Sequence, residues 1–247
     1  MMNEEALTGG NSHSVVRVGD TVRRPTGMWT PAVHRFLTTL RDAGIVEVPE
    51  LLGLDEHGRE VLAFLPGEVG NYPIPAWMWS PTILQEAGAL LRRVHDASVP
   101  IAHLPAHWQL PTHHPVEVVC LNDVAPYNMV FQAGHLTGLI DFDTASPGPR
   151  IWDFAYLAYR LVPLGEYADD HSPRADARTD RLEALIRAYG HPFEPEAVLR
   201  VAAERLDDLA EFTDRRAADT GRTEFIGHAA LYRRDRDFLR GLVSEGH

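Results

Sequence analysis

At 247 residues, with 45% apolar and 23% charged side chains, the chain has the composition of a soluble globular protein and the length for two lobes sharing a cleft. A formal charge of −12 argues against a nucleic-acid or anionic-membrane surface, which needs clustered Lys and Arg, and suits a small-molecule partner, cationic if charged. A single cysteine, Cys120, excludes an intrachain disulfide framework and fits a reducing cytosol, while the lack of a long apolar run predicts no membrane span and no signal peptide.

The first punctuation is Gly9-Gly10-Asn11-Ser12, ahead of the apolar run Val15–Val18. Such a turn presents backbone N–H groups to phosphates as readily as it closes an ordinary hairpin. The strand Thr21–Arg24 ends at Pro25, and period-two alternation puts Thr21 and Arg23 on one face and Arg24 on the other. Thr30-Pro31 opens a helix in which Val33, Phe36, Leu37 and Leu40 form the buried stripe and Gly44 closes it. Strands over 48–54 and 59–64 flank the Asp55–Gly58 turn, and Leu65-Pro66-Gly67 breaks the pattern. A boundary there gives an N-terminal lobe over 1–66 and a helical C-terminal lobe over 67–247.

A Pro- and Trp-rich connector leads to a long helix that begins at Ser80-Pro81 and runs through His95. His103, His107, His113 and His114 then raise a metal-dependent hydrolase reading, which predicts bound zinc or iron. Pro105 keeps the first pair off a common helical face, and no cysteine cluster joins them. Next come the β-rich runs Val116–Leu121, Met129–Phe131 and Leu136–Ile140, which read as two short hairpins with Asp123, Asn128 and Asp141 at their loop ends.

Any one of these three residues suits a turn. Together their spacing carries information, because Asp123 and Asn128 are offset as in the kinase catalytic-loop pattern H-R-D-L-x-x-x-N, and Asp141-Phe142 stands where D-F-G would. Phosphoryl transfer needs a carboxylate that takes the proton of the attacking hydroxyl and hard oxygen ligands that hold magnesium against the nucleotide phosphates. Asp123 fits the first role, Asn128 and Asp141 the second. Trp152–Leu161 reads as a buried helix supported at its start by Asp153. Three further helices cover 174–189, 194–213 and 223–243, the second with Glu204, Asp207, Asp208 and Glu211 on its polar side.

The segments Leu121-Asn122-Asp123, Asn128, Ile140-Asp141-Phe142-Asp143 and Asp153-Phe154-Ala155 resemble the signature of the aminoglycoside phosphotransferase family and its choline-kinase-like relatives. The resemblance implies an α/β, two-lobe protein-kinase-like fold, with a small antiparallel-sheet lobe carrying one helix and a larger, mainly helical lobe. It implies transfer of the γ-phosphate of ATP or GTP, with Mg, to a small-molecule hydroxyl, with Asp123 catalytic and Asn128 and Asp141 on the metal. It further implies Gly9, Gly10, Asn11, Ser12 and Arg23 over the phosphates and a hinge at Ala63–Gly67 that brings Phe64 to the base. Asp207, Asp208 or Glu211 would line a pocket for a cationic acceptor. Three features depart from the pattern: Leu121 replaces the loop His, Arg replaces the strand Lys, and the inward face of the first helix offers His34 and no acid. They leave open a degenerate kinase-like fold that binds a nucleotide, metabolite or peptide without turnover.

Overall fold

The computed structural model describes residues 4–7, 15–165 and 171–245. In chain order the elements are β1 (Glu4–Ala6), β2 (Val16–Val18), β3 (Thr21–Arg24), α1 (Thr30–Asp42), β4 (Leu51–Leu54), β5 (Glu60–Ala63) and β6 (Glu68–Val69). There follow α2 (Pro81–Ser98), β7 (Val118–Cys120), β8 (Met129–Gln132), β9 (His135–Leu139), β10 (Ser146–Gly148), α3 (Arg150–Leu161), α4 (Arg178–Tyr189), α5 (Pro195–Thr220) and α6 (Glu224–Glu245). The chain divides into two compact units, one formed by Met1–Tyr72 with Leu90–Arg150 and the other by Pro73–Ala89 with Ile151–His247.

The first unit carries a five-stranded antiparallel sheet in the order β1-β2-β3-β5-β4. Its β3/β5 register sets Arg23 against Val61 and Arg24 against Glu60. Helix α1 starts one residue earlier than Thr30 as N-cap predicts, with Trp29 at the cap and Thr30 already helical, and Val33, Phe36, Leu37 and Leu40 are all buried. Phe36 meets the ring of Phe142 edge-on, with centroids 5.7 Å apart at 71°. Truncating such a fully buried ring costs about 3–5 kcal/mol.

Two smaller sheets complete this unit. Strands β8 and β9 form a hairpin with Met129 opposite Leu139, and β6 adds to the other edge of β8. Gly67, at φ +142°, lets β6 approach, since a Cβ there would lie 2.5 Å from the Phe131 carbonyl oxygen. The expected pair of hairpins is half right. β7 does not pair with β8 but with β10, which forms inside the stretch expected to be irregular loop.

In the second unit, Phe154, Tyr189 and Phe193 stack into a cluster, with Phe154 and Phe193 centroids 4.9 Å apart. Helices α5 and α6 are joined at Gly221, whose left-handed backbone (φ +69°) ends α5. α5 runs seven residues beyond its expected end at Thr213, to Thr220. Among the described residues, no helix is long and apolar enough to cross a membrane.

Candidate active site

Asp123 follows β7 in a loop that Asn122 pins. Asn122 has φ +63°, a conformation Asn tolerates better than most residues, and its Nδ2 donates to the Thr144 carbonyl and to Ser146 Oγ, both at 2.8 Å. Thr144 Oγ1 donates in turn to the Leu121 carbonyl at 2.9 Å. Leu121 itself is buried, so the residue standing in place of a loop His packs in the core.

The Asp123 carboxylate is held on both oxygens. Tyr127 donates its hydroxyl to Oδ1 at 2.6 Å, and Asn128 Nδ2 donates to Oδ2 at 3.0 Å and to the Asp123 carbonyl at 2.9 Å. The tight turn Pro126–Asn128 closes the five-position gap that makes these bonds. With its amide nitrogen so engaged, Asn128 has Oδ1 as the atom suited to a cation.

The β8/β9 hairpin brings the third residue alongside. Ile140 N donates to the Asn128 carbonyl at 2.9 Å, so Asn128 and Asp141 flank one rung at the hairpin's open end. Asp141 adopts φ +60°, the left-handed region that costs a non-glycine residue about 1 kcal/mol or more. The buried Phe142 ring anchors this turn from the next position. About half of the Asp141 side chain (48%) stays open to solvent.

A single guanidinium stands against this group. Arg24 bonds Glu60 through Nε at 2.7 Å, approaches Asp141 Oδ1 at 3.4 Å through Nη2, and pairs with Asp143. Glu60 shares its second oxygen with His34 Nε2 of α1 at 2.9 Å. Burial works against the Arg24 charge, but Asp143, Asp141 and Glu60 outweigh it and hold the guanidinium above its usual pKa. Burial likewise raises Glu60 against the pull of Arg24 and His34. Asp141 is raised by the protein packed around it and, beyond that, by Asp143 and Asp123, with Arg24 opposing.

The two strand arginines face different acids. Arg23 turns to Asp55, 3.8 Å away, while Arg24 faces Asp141. The cause is the β3/β5 register, which sets Arg24 directly across from Glu60. The acid beside Arg24 comes from β5, as Glu60, and α1 contributes the histidine that bonds it.

Other expected residues fare differently. Gly9, Gly10, Asn11 and Ser12 lie outside the described residues. Phe64 follows β5, its ring covered by the Arg17 guanidinium at 3.8 Å and its N–H donated to Asp20. Asp207 is bound by Arg236 and Arg240 of α6, Glu211 pairs with Arg215 on its own helix at 3.6 Å, and Asp208 is exposed. His103, His107, His113 and His114 form no three-ligand metal cluster among the described residues.

Glu60, Asp143 and Tyr127 were not anticipated from sequence. A lone acid opening the otherwise apolar strand Glu60–Ala63 was the signal for the first, and the second lies in the Ile140–Asp143 motif itself.

The sequence pattern of the phosphotransferase enzyme family matches residues 100–199, the stretch that holds Asp123, Asn128 and Asp141. Trifolitoxin immunity protein of Rhizobium leguminosarum bv. trifolii is 33% identical over 204 residues, which cover 76% of this chain and 75% of that protein. The chain belongs to the phosphotransferase enzyme family.

Solved structures place this phosphotransferase in a protein-kinase-like fold. A choline/ethanolamine kinase family protein from Mesorhizobium loti superposes with a TM-score of 0.64 at 17% identity, covering 96% of this chain and 87% of that one. An amicoumacin kinase in complex with AMP-PNP, Ca2+ and Ami gives 0.67 at 13% identity, covering 95% and 88%. The antiparallel-sheet N-terminal region and the helical C-terminal region of the phosphotransferase follow that fold.

Proposed function

We propose that this phosphotransferase moves the γ-phosphoryl group of ATP or GTP to a hydroxyl of a small molecule. The observation that supports it most is the hydrogen-bonded grouping of Asp123 and Asn128 beside Asp141 at one hairpin end, with Asp141 held in a strained left-handed turn. Asp123 orients the acceptor hydroxyl and takes its proton as the hydroxyl oxygen bonds to the γ-phosphorus and the nucleoside diphosphate leaves. The acceptor hydroxyl takes the place on Oδ1 that the Tyr127 hydroxyl holds.

Asn128 Oδ1 and the half-open Asp141 carboxylate suit magnesium, being hard oxygen donors on adjoining backbone. When bound there, magnesium screens the charge on the nucleotide phosphates. Arg24 supplies the protein's own positive charge to the same phosphates.

The nucleotide and divalent ion in the amicoumacin kinase complex support this donor, and the relative's name as a toxin immunity protein directs the acceptor search. Hydroxyl-bearing antibiotics and toxins come first in a panel read by phosphate-transfer mass spectrometry. A product heavier by one phosphoryl group, dependent on Asp123, is the expected result; no transfer to any member with either nucleotide would count against turnover.

A second reading is binding without transfer, as a degenerate kinase-like fold. It is favoured by the contacts that Tyr127 and Arg24 make with Asp123 and Asp141. Thermal unfolding with ATP and GTP, each with and without magnesium, separates the two. A magnesium-dependent rise favours the transferase, and no nucleotide effect at millimolar concentration favours a binder of something else.

A further inference from the structure

We propose that Glu60 and His34 are positioning residues that aim Arg24 at the nucleotide phosphates. In this chain the acid that orients the phosphate-binding cation then sits on β5 instead of on the helix. The inference rests on the phosphoryl-transfer reading above.

Arg24 and Glu60 are cross-strand partners, so the sheet register fixes their approach, not the packing of a helix that can shift. Glu60 is 2% exposed and has both oxygens engaged, Oε1 by Arg24 Nε and Oε2 by His34 Nε2. A carboxylate so deeply placed is costly unless paired and hydrogen-bonded, so the three side chains act as one unit. Gripping the guanidinium at Nε leaves its terminal nitrogen Nη2 to face both Asp141 and Asp143. That end of the planar guanidinium is the part suited to phosphate oxygens.

A lysine would bond Glu60 and the phosphates from one nitrogen, whereas the arginine holds Glu60 at Nε and presents a separate terminal nitrogen beyond it. The arginine thus works together with the acid on β5.

The test is calorimetric titration with AMP-PNP and magnesium, so that no turnover is required. Arg24→Lys and Glu60→Gln should each weaken binding about ten-fold, with His34→Gln about three-fold. The double variant Arg24→Lys/Glu60→Gln should be no weaker than Arg24→Lys alone, as expected for groups acting through one another. A purely structural pair would lower the unfolding temperature and leave the dissociation constants unchanged, which overturns the proposal. So does an Arg24→Lys protein that binds as tightly as wild type, or a double variant whose losses add. If Glu60→Gln does not fold, His34→Gln decides, and a dissociation constant equal to wild type there overturns the positioning role. Wild-type protein that binds no nucleotide overturns the phosphoryl-transfer reading and this inference with it; wild type and variants that bind equally overturn this inference only.

Discussion

Two groups of acids and arginines in this molecule use the same side chains to opposite ends. Around Arg24, three carboxylates, those of Glu60, Asp141 and Asp143, share one guanidinium. At Asp207 of α5 the ratio reverses, with one carboxylate held by Arg236 and Arg240 of α6. An excess of carboxylate leaves negative charge unanswered, and that is a place for a cation. A carboxylate shared by two guanidiniums has its charge already answered, and it ties the two helices together. The sign of the local surplus, more than the number of acids, separates a site from a clamp.

The comparison breaks most sharply at Asp123. Replacing it by Asn keeps the size but only one of the two acceptor oxygens that Tyr127 and Asn128 use, and should cost about 100- to 10,000-fold in turnover while nucleotide still binds. Steady-state rates beside AMP-PNP titration check this. An unchanged rate would remove Asp123 from the chemistry.

Asp141→Asn sharpens the same contrast. Asn is at ease at φ +60°, so the fold should survive, but one charge leaves the surplus around Arg24. The expected outcome is a nucleotide-induced rise in unfolding temperature that no longer depends on magnesium. A magnesium dependence equal to wild type would mean that the surplus does not recruit the ion.

What the sequence disclosed follows the range of the forces involved. Asp123, Asn128 and Asp141 were legible because a tight turn and a two-strand hairpin fix them through local contacts. Helix α1 was legible because Val33, Phe36, Leu37 and Leu40 repeat at helical spacing. That Arg24, not Arg23, meets Asp141 was not legible, because strand alternation says which residues share a side and only the distant β5 says which side meets Asp141. Glu60 stayed hidden for the same reason. The pairing of β7 with β10 rests on partners brought together by tertiary packing. On α5, periodicity identified the acidic face but not that α6 would answer Asp207 with two arginines.

The next test falls on the clamp. Asp207→Asn should lower stability by about 1 kcal/mol, because Arg236 and Arg240 lose a shared acceptor that is only partly screened by water. Denaturant unfolding measures the loss, and the Michaelis constant for the acceptor should not change. A stable variant with a weakened acceptor affinity would return Asp207 to the pocket and undo the contrast with Arg24.

The smallest expected effect isolates pairing from surplus. Arg93 grips Glu47 with two bonds, at 2.7 and 3.2 Å, while the Glu47 carbonyl receives the N–H of Leu139 in β9. Burial pushes the Glu47 carboxyl up, but the Arg93 bonds and neighbouring backbone N–H groups prevail and hold it below its usual value. A carboxyl whose pKa is lower folded than unfolded binds more protons when unfolded. Its stabilisation is therefore present above the ordinary glutamate range and fades as pH falls through the lowered value. Glu47→Gln should remove that acid-side slope and cost about 0–1 kcal/mol at neutral pH, since both side chains are partly exposed. Glu60, whose pKa burial raises, has the opposite sign: its folded form holds the proton longer, so its contribution declines as pH climbs from the ordinary range to the raised value. Unfolding free energies of Glu47→Gln and Glu60→Gln across pH 3 to 8 should therefore differ from wild type with slopes of opposite sign. Slopes of the same sign would mean that a one-to-one pair and a crowded carboxylate cluster are electrostatically alike here.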